Sequence, residues 1–237
     1  MKRFFGLCLV LSILPLFSCA ARLNGSLAAD GSASLSVSMA LEPRMTALIR
    51  RLSAAGGQTA GQADRPILDG PAIANSMSKT PGVASVSLKN SSPSAVDGQL
   101  SVSNVMNLTA SDSGRFIAFE QGASGGRCVI SINRGNGSAI LNLISPEVSG
   151  FLNALMAPIA TGEELSKAEY LEIVSSFYSK AVGDEIAASR IRASLDFPGT
   201  VKSAKGGTFS GKRANFDIPL IDLLVLETPL VYEVNWN

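Results

Sequence analysis

The residues able to do covalent chemistry are few, and their types limit what chemistry is open to them. No histidine occurs in the 237 residues, which removes a Ser-His-Asp triad, a Cys-His pair and any histidine metal ligand. The remaining candidates are three cysteines, one closely spaced hydroxyl and amine (Ser210 and Lys212), and the acids Glu163-Glu164, Asp184-Glu185, Asp217 and Asp222. A Ser-Lys pair needs a buried lysine of lowered pKa, whereas Lys212 follows Gly211 in a polar turn and precedes Arg213. Gly122 to Gly126 and Gly199 to Gly211 lack the lysine and hydroxyl of a phosphate-cradling loop and read as turns. Ser111-Asp112-Ser113-Gly114 lacks the further acids that a calcium loop requires. The expectation is a protein without catalytic residues, metal or cofactor.

Cys19 is the exception. Lys2 and Arg3 precede an apolar run from Phe4 to Phe17, which leads to Ser18-Cys19. This is the layout of a secretory leader, and the run is shorter than the about 20 residues a membrane-crossing helix needs. Leu16-Phe17-Ser18-Cys19 looks like a bacterial lipobox, in which the cysteine thiolate takes a diacylglyceryl group and a peptidase then cuts before it. Two or three acyl chains on one residue hold a protein to a membrane where a single chain anchors only reversibly. The division expected is therefore 1–18 as signal peptide and 19–237 as one lipid-anchored domain of the cell envelope. Ala20, rather than aspartate, after the cysteine mildly favours the outer membrane in bacteria that use that sorting signal.

Loss of Lys2 and Arg3 with the leader turns the formal charge from +1 to −1. A near-neutral surface gives no electrostatic footprint for nucleic acid. Cys8 leaves with the leader and Cys19 would be a thioether, so Cys128 has no partner within the chain. It alternates with Ile130 and Ile132 and reads as a small buried hydrophobe rather than a reactive thiol.

The elements that position these residues read as strands, then helices, then strands. In Ser32 to Leu41 serines alternate with apolar residues over a period of two, which predicts a strand with one core face and one hydroxyl-lined face. Arg22 to Ala28 pairs with it across Asp30-Gly31, a strong hairpin signal. Glu42-Pro43 opens a helix with Met45, Leu48, Ile49 and Leu52 on one stripe; Arg44, Arg50 and Arg51 lie off it, on a solvated face or against lipid headgroups. Residues 53–70, rich in glycine and alanine, are expected to be a flexible loop.

A short helix near Ala72 to Ser78 precedes a strand through Val83 to Leu88. Further strands are expected at Gln99 to Thr109, Arg115 to Gln121, Cys128 to Asn133 and Ala139 to Leu143. Ser145-Pro146-Glu147 starts a helix that carries Phe151 and Leu155. Ser166-Lys167-Ala168-Glu169 is a capping box before Tyr170, Ile173, Val174, Phe177 and Ala181 on one face. Strands return at Arg190 to Phe197, in a hairpin around Ser210-Gly211-Lys212, and at Leu230 to Trp236, with a short helix over Leu220 to Leu226 between them. The fold class is α+β, an antiparallel and mostly meandering sheet with amphipathic helices packed on one face.

The segment from Ser194 to Leu220 resembles the LppM-domain family of bacterial lipoproteins: a strand ends in Phe197-Pro198-Gly199, and a second passes through Gly207 and Gly211 toward the terminal strand. The alternating Ser32 to Leu41 strand and the helix after it add to the likeness. That family often carries a C-terminal membrane helix; no such run is read in this sequence, so anchoring is expected to rest on Cys19. The resemblance implies an α+β envelope domain without known catalytic residues and supplies no ligand. Two roles follow as expectations: a membrane-anchored binding or scaffolding protein with an envelope protein as its partner, or a carrier of an apolar small molecule or lipid in a groove near Phe151 and Phe177. No ligand-binding residue can be named from the sequence.

Overall fold

In the computed structural model the described residues are 19–55, 66–108, 115–141 and 146–237. The leader, the middle of the expected 53–70 loop and the expected turn at Ser111 to Gly114 lie outside them. The first hairpin forms as its sequence predicts. Strand β1 (Cys19–Leu27) pairs antiparallel with β2 (Ala33–Ala40), Leu23 opposite Val37. Between them Gly31 takes φ +80°, where a side chain would be strained, and Asp30 Oδ1 accepts from the Ser32 N–H at 2.8 Å.

Helix α1 (Pro43–Ala55) follows, then α2 (Gly70–Met77), capped by Asp69 through the Ala72 N–H. Residues just before α2 are tied down: the Gly70 N–H donates to Asn90 Oδ1 at 3.0 Å, the Asn90 amide donates back to the Leu68 carbonyl, and Leu68 is buried. Strands β3 (Val83–Ser92) and β4 (Ala95–Val102) form the next hairpin, and β4 also pairs with β2.

A third hairpin pairs β5 (Ile117–Gly122) with β6 (Gly125–Ile132). The strand expected at Ala139 to Leu143 is instead a helical turn, α3 (Gly137–Leu141). Asn136 explains the switch. Its side chain, buried, donates to the carbonyls of Arg115 and Ser131 and accepts from the Asn133 N–H, so the chain turns back at the end of β6 rather than continuing extended. Helices α4 (Pro146–Ala154), α5 (Pro158–Thr161), α6 (Lys167–Phe177) and α7 (Lys180–Ala188) complete the helical middle.

The last third supplies β7 (Arg190–Asp196), β8 (Val201–Lys205), β9 (Thr208–Ser210), β10 (Arg213–Pro219), α8 (Leu220–Val225) and β11 (Leu230–Trp236). Seven strands form one sheet in the order β3-β4-β2-β1-β7-β10-β9, and four form a second in the order β5-β6-β11-β8. The chain is α+β and its sheets are mostly antiparallel. One parallel pair, β1 with β7, places the first strand of the chain in the centre of the larger sheet. Gly206 at φ +79° and Gly207, whose backbone lies against the Phe216 ring, carry the chain from the small sheet to the large one; a Cβ on Gly207 would lie 2.5 Å from the Asn215 carbonyl oxygen.

Two cores result. The first lies between the sheets, where Leu27, Val37, Leu100 and Phe216 meet Val234 and Trp236, with Ile73 of α2 closing one side. Trp236 stacks on Phe119 and Phe197 at centroid distances of 5.9 and 5.2 Å. The second core is helical: Met45, Leu155, Tyr170, Val174, Val182, Ile186 and Leu224 bury against one another. The helices other than α2 and α3 thus gather at one end of the large sheet and bury a core of their own. Leu41 packs on both cores, and the Leu220 N–H donates to the Ser189 carbonyl at 2.9 Å where helix and strand segments meet.

Candidate binding face and the predicted site residues

The outer face of the seven-stranded sheet is set by the same alternation that fills the core. Each strand that turns Leu23, Val37, Leu100 or Ala193 inward turns its neighbours outward. The register then aligns those outward residues in rows across strands about 4.8 Å apart. The middle row runs Ser87, Gln99, Ser36, Asn24, Ser194, Asn215 and Thr208. It carries no charge, and every member can both donate and accept hydrogen bonds. Within it the Ser194 hydroxyl donates to Asn215 Oδ1 at 2.7 Å.

The flanking rows hold charges that are largely matched on the face itself. Arg213 grips Asp196 with two bonds of 2.8 and 2.6 Å, and its guanidinium holds the Asp196 carboxyl below the usual range. Arg192 lies 3.5 Å from Asp217. Asp97 sits low because the Ser38 hydroxyl, and then that of Ser91, donate to it. Two open concavities mark this face. One of about 390 Å³ is lined by Asn24, Ser34, Ser36, Gln99, Ser194 and Arg213 among others; one of about 580 Å³ lies nearer the β9 edge, with Arg22, Arg192, Thr208 and Asp217 in its wall. This arrangement can hydrogen-bond a polar partner over a wide area.

Sequence reasoning had the serine alternation of β2 but not the face. The missing information was register: nothing local says that Ser36 lies beside Asn24 and Gln99, or that Ser194, far along the chain, continues the row.

The candidate catalytic residues are dispersed, and most of them are held by structural partners, while Ser210 and Glu163 are exposed. Lys212 Nζ donates to the Pro198 carbonyl at 3.3 Å, while Ser210 sits exposed on β9 opposite Arg213. Glu185 accepts from the Arg44 and Met45 N–H groups at 3.2 and 2.8 Å, capping α1 from a distant helix. Asp184 pairs with Lys180 at 2.7 Å, Asp222 with Lys167 at 2.9 Å, and Glu164 with Arg134 at 3.7 Å. Each of these carboxylates has a structural partner. Among the described residues no group of three or more His, Cys, Asp or Glu side chains is placed to hold a metal ion.

Cys128 packs on the inter-sheet core opposite Phe119 and Val234, and burial pushes its thiol up to about 11. At neutral pH it is a protonated thiol with little nucleophilic character. On the stripe expected near an apolar groove, Tyr170 and Val174 are fully buried, but Phe177 is 72% exposed. Helix α6 ends at Phe177, and the chain turns through Tyr178 before α7, so the ring leaves the stripe that its spacing placed it on. Cys19 is the first residue of β1, beside Arg190 of β7. Among the described residues no helix is long and apolar enough to cross a membrane.

No protein-family model and no curated protein matches the chain. Among solved structures it is similar to the NMR structure of the folded domain of Mycobacterium tuberculosis LppM. The identity is 12% and the TM-score 0.39, over 95% of this chain and 94% of that one.

Proposed function

We propose that the protein is a non-catalytic lipoprotein of the bacterial cell envelope, held to a membrane by acyl chains on Cys19, and that it binds a polar partner through the outer face of its large sheet. The observation that carries the reading is the junction at Cys19. A lipobox-like sequence, Leu16-Phe17-Ser18-Cys19, passes without a spacer into the central strand of the fold. The absence of a catalytic constellation among the described residues, and the uncharged hydrogen-bonding row on that strand's open face, support a binding or scaffolding role.

Replacing Cys19 with serine and fractionating the cells tests the anchor: the variant should leave the membrane fraction, and its persistence there would end the lipoprotein reading. For the face, Asn24→Lys with Ser194→Lys inserts two charges into the neutral row. Cross-linking in intact cells should lose its adducts in this double variant while the protein stays folded by circular dichroism; unchanged adducts would move the partner elsewhere.

A further inference from the structure

Strand register fixes which end of the molecule lies against the lipid. Cys19 stands beside Arg190, and Arg190 stands beside Pro219, so the start of β1, the start of β7 and the end of β10 share one end of the large sheet. From that end α1 leaves after β2, α7 arrives before β7 and α8 leaves after β10. Those helices, with α4, α5 and α6, form the helical core and pack on one another, not over the outer sheet face. The hairpin turns at Asp30-Gly31 and Gly211 lie at the opposite end.

The helical end also carries an apolar side chain that the fold leaves uncovered. Phe177 and Phe209 are the exposed large hydrophobic residues among those described, and Phe209 lies on the remote β9 edge. Phe177 closes α6 at the turn into α7, at the end of α7 opposite the one that runs into β7. Lys180 comes three residues later, strongly exposed and paired with Asp184 at 2.7 Å, and Arg44 and Arg51 are exposed on α1 of the same cluster. An exposed aromatic ring on a cluster that also carries exposed arginines suits a bilayer interface, the ring among acyl chains and the guanidinium groups among anionic headgroups.

We infer that the helical end docks on the membrane surface, with the α6–α7 turn inserting Phe177 into the headgroup boundary as a second contact beside the acyl chains. This rests on the lipoprotein reading above, because the missing spacer after Cys19 brings the helical end to the bilayer. Docking there leaves the polar sheet face and the far hairpin turns clear of the lipid.

The test uses the mature acylated protein reconstituted into phosphatidylethanolamine–phosphatidylglycerol vesicles that contain a spin-labelled lipid. Cys128→Ala removes the native thiol, and an environment-sensitive fluorophore is attached at Phe177→Cys, at Lys180→Cys or at Ser210→Cys. Quenching by the lipid spin label is expected at 177 and 180 and not at 210. Adding Phe177→Ser to the Lys180→Cys protein should bring the fluorophore at 180 back toward its signal in water. Equal quenching at all three positions, or none at 177, overturns the docked orientation. Dimers cross-linked through position 177 without lipid quenching overturn it in favour of a contact between copies. Mass spectrometry of the same sample separates the two claims: acylated Cys19 with an unquenched 177 defeats the docking alone, whereas an unmodified Cys19 defeats the anchor and the docking with it.

Discussion

The inter-sheet core and the helical core bury similar side chains but are specified in different ways. Helix α6 is set locally: Ser166 accepts from the Glu169 N–H at 3.2 Å, Glu169 accepts from the Ser166 N–H at 2.8 Å, and Tyr170 and Val174 follow on the buried side. The sandwich is set at long range. Trp236, the penultimate residue, is clamped by Phe119 and Phe197 and donates through Nε1 to Gln121 at 3.0 Å. Four residues folded into one contact come from segments scattered over half the chain. Local rules can therefore place a helix, while only the assembled sheets can place the tryptophan.

The strongest way to break this comparison is Trp236→Ala. It removes both ring contacts and orphans Gln121, and a cost of about 3–5 kcal/mol is expected from core aromatic truncation. Urea unfolding followed separately by far-ultraviolet dichroism and by Tyr fluorescence should still give one coincident transition, because Leu41 and the Leu220–Ser189 bond couple the two cores. Two separated transitions would show that the helical core folds by itself. Ser166→Ala sharpens the other side. Loss of the cap should cost about 1 kcal/mol, read in the same titration.

Acid comes next in size. Hydrogen bonding lowers the carboxyls of Asp30, Asp97, Asp196, Glu169 and Glu233 below their ordinary values of 3.8 and 4.5. Their contribution is therefore present above those values and is lost as pH falls through the lower folded ones. Melting temperature should stay level from neutral pH to about 5 and drop below 4, and Ser166→Ala should flatten part of that drop. At the other extreme, the Cys128 thiol has its ordinary value of 9.0 raised to about 11, so its neutral form is favoured in the fold and stability declines as pH climbs from the first value through the second. Iodoacetamide at pH 8 should modify Cys128 far more slowly in the native protein than in urea. This is the smallest effect expected.

Much of the fold was legible in sequence because its signals are short in range. Asp30-Gly31, the Ser32 to Leu41 alternation, the Ser166 capping box and the closing strand at Leu230 to Trp236 all stand where their patterns put them. Two stretches read as strands are misread. Ala139 to Leu143 has a strand-like composition, and its described part is turned by the buried Asn136, whose partners Arg115 and Ser131 are set by tertiary structure. The strand expected at Gln99 to Thr109 ends at Val102 before a 3-10 turn at Val105–Asn107. Phe177 fits a helical stripe by spacing alone; the helix ends on it, and spacing carries no information about where a helix stops. The parallel β1–β7 pair joins segments at opposite ends of the chain and left no local trace. The candidate face depends on that pair, which is why only its β2 row was visible beforehand.

Placing Cys19 at the head of a central strand also has a mechanical meaning. Any pull on a lipid attached there would run straight along β1 and load its hydrogen-bond ladders to β2 and β7 in shear, all rungs at once, rather than peeling them one by one. A stalk would give a protease something to cut and a flow of solvent something to sway. With acyl chains on Cys19, the next residue would already be woven into the fabric, so shedding the domain intact would demand that the fabric tear.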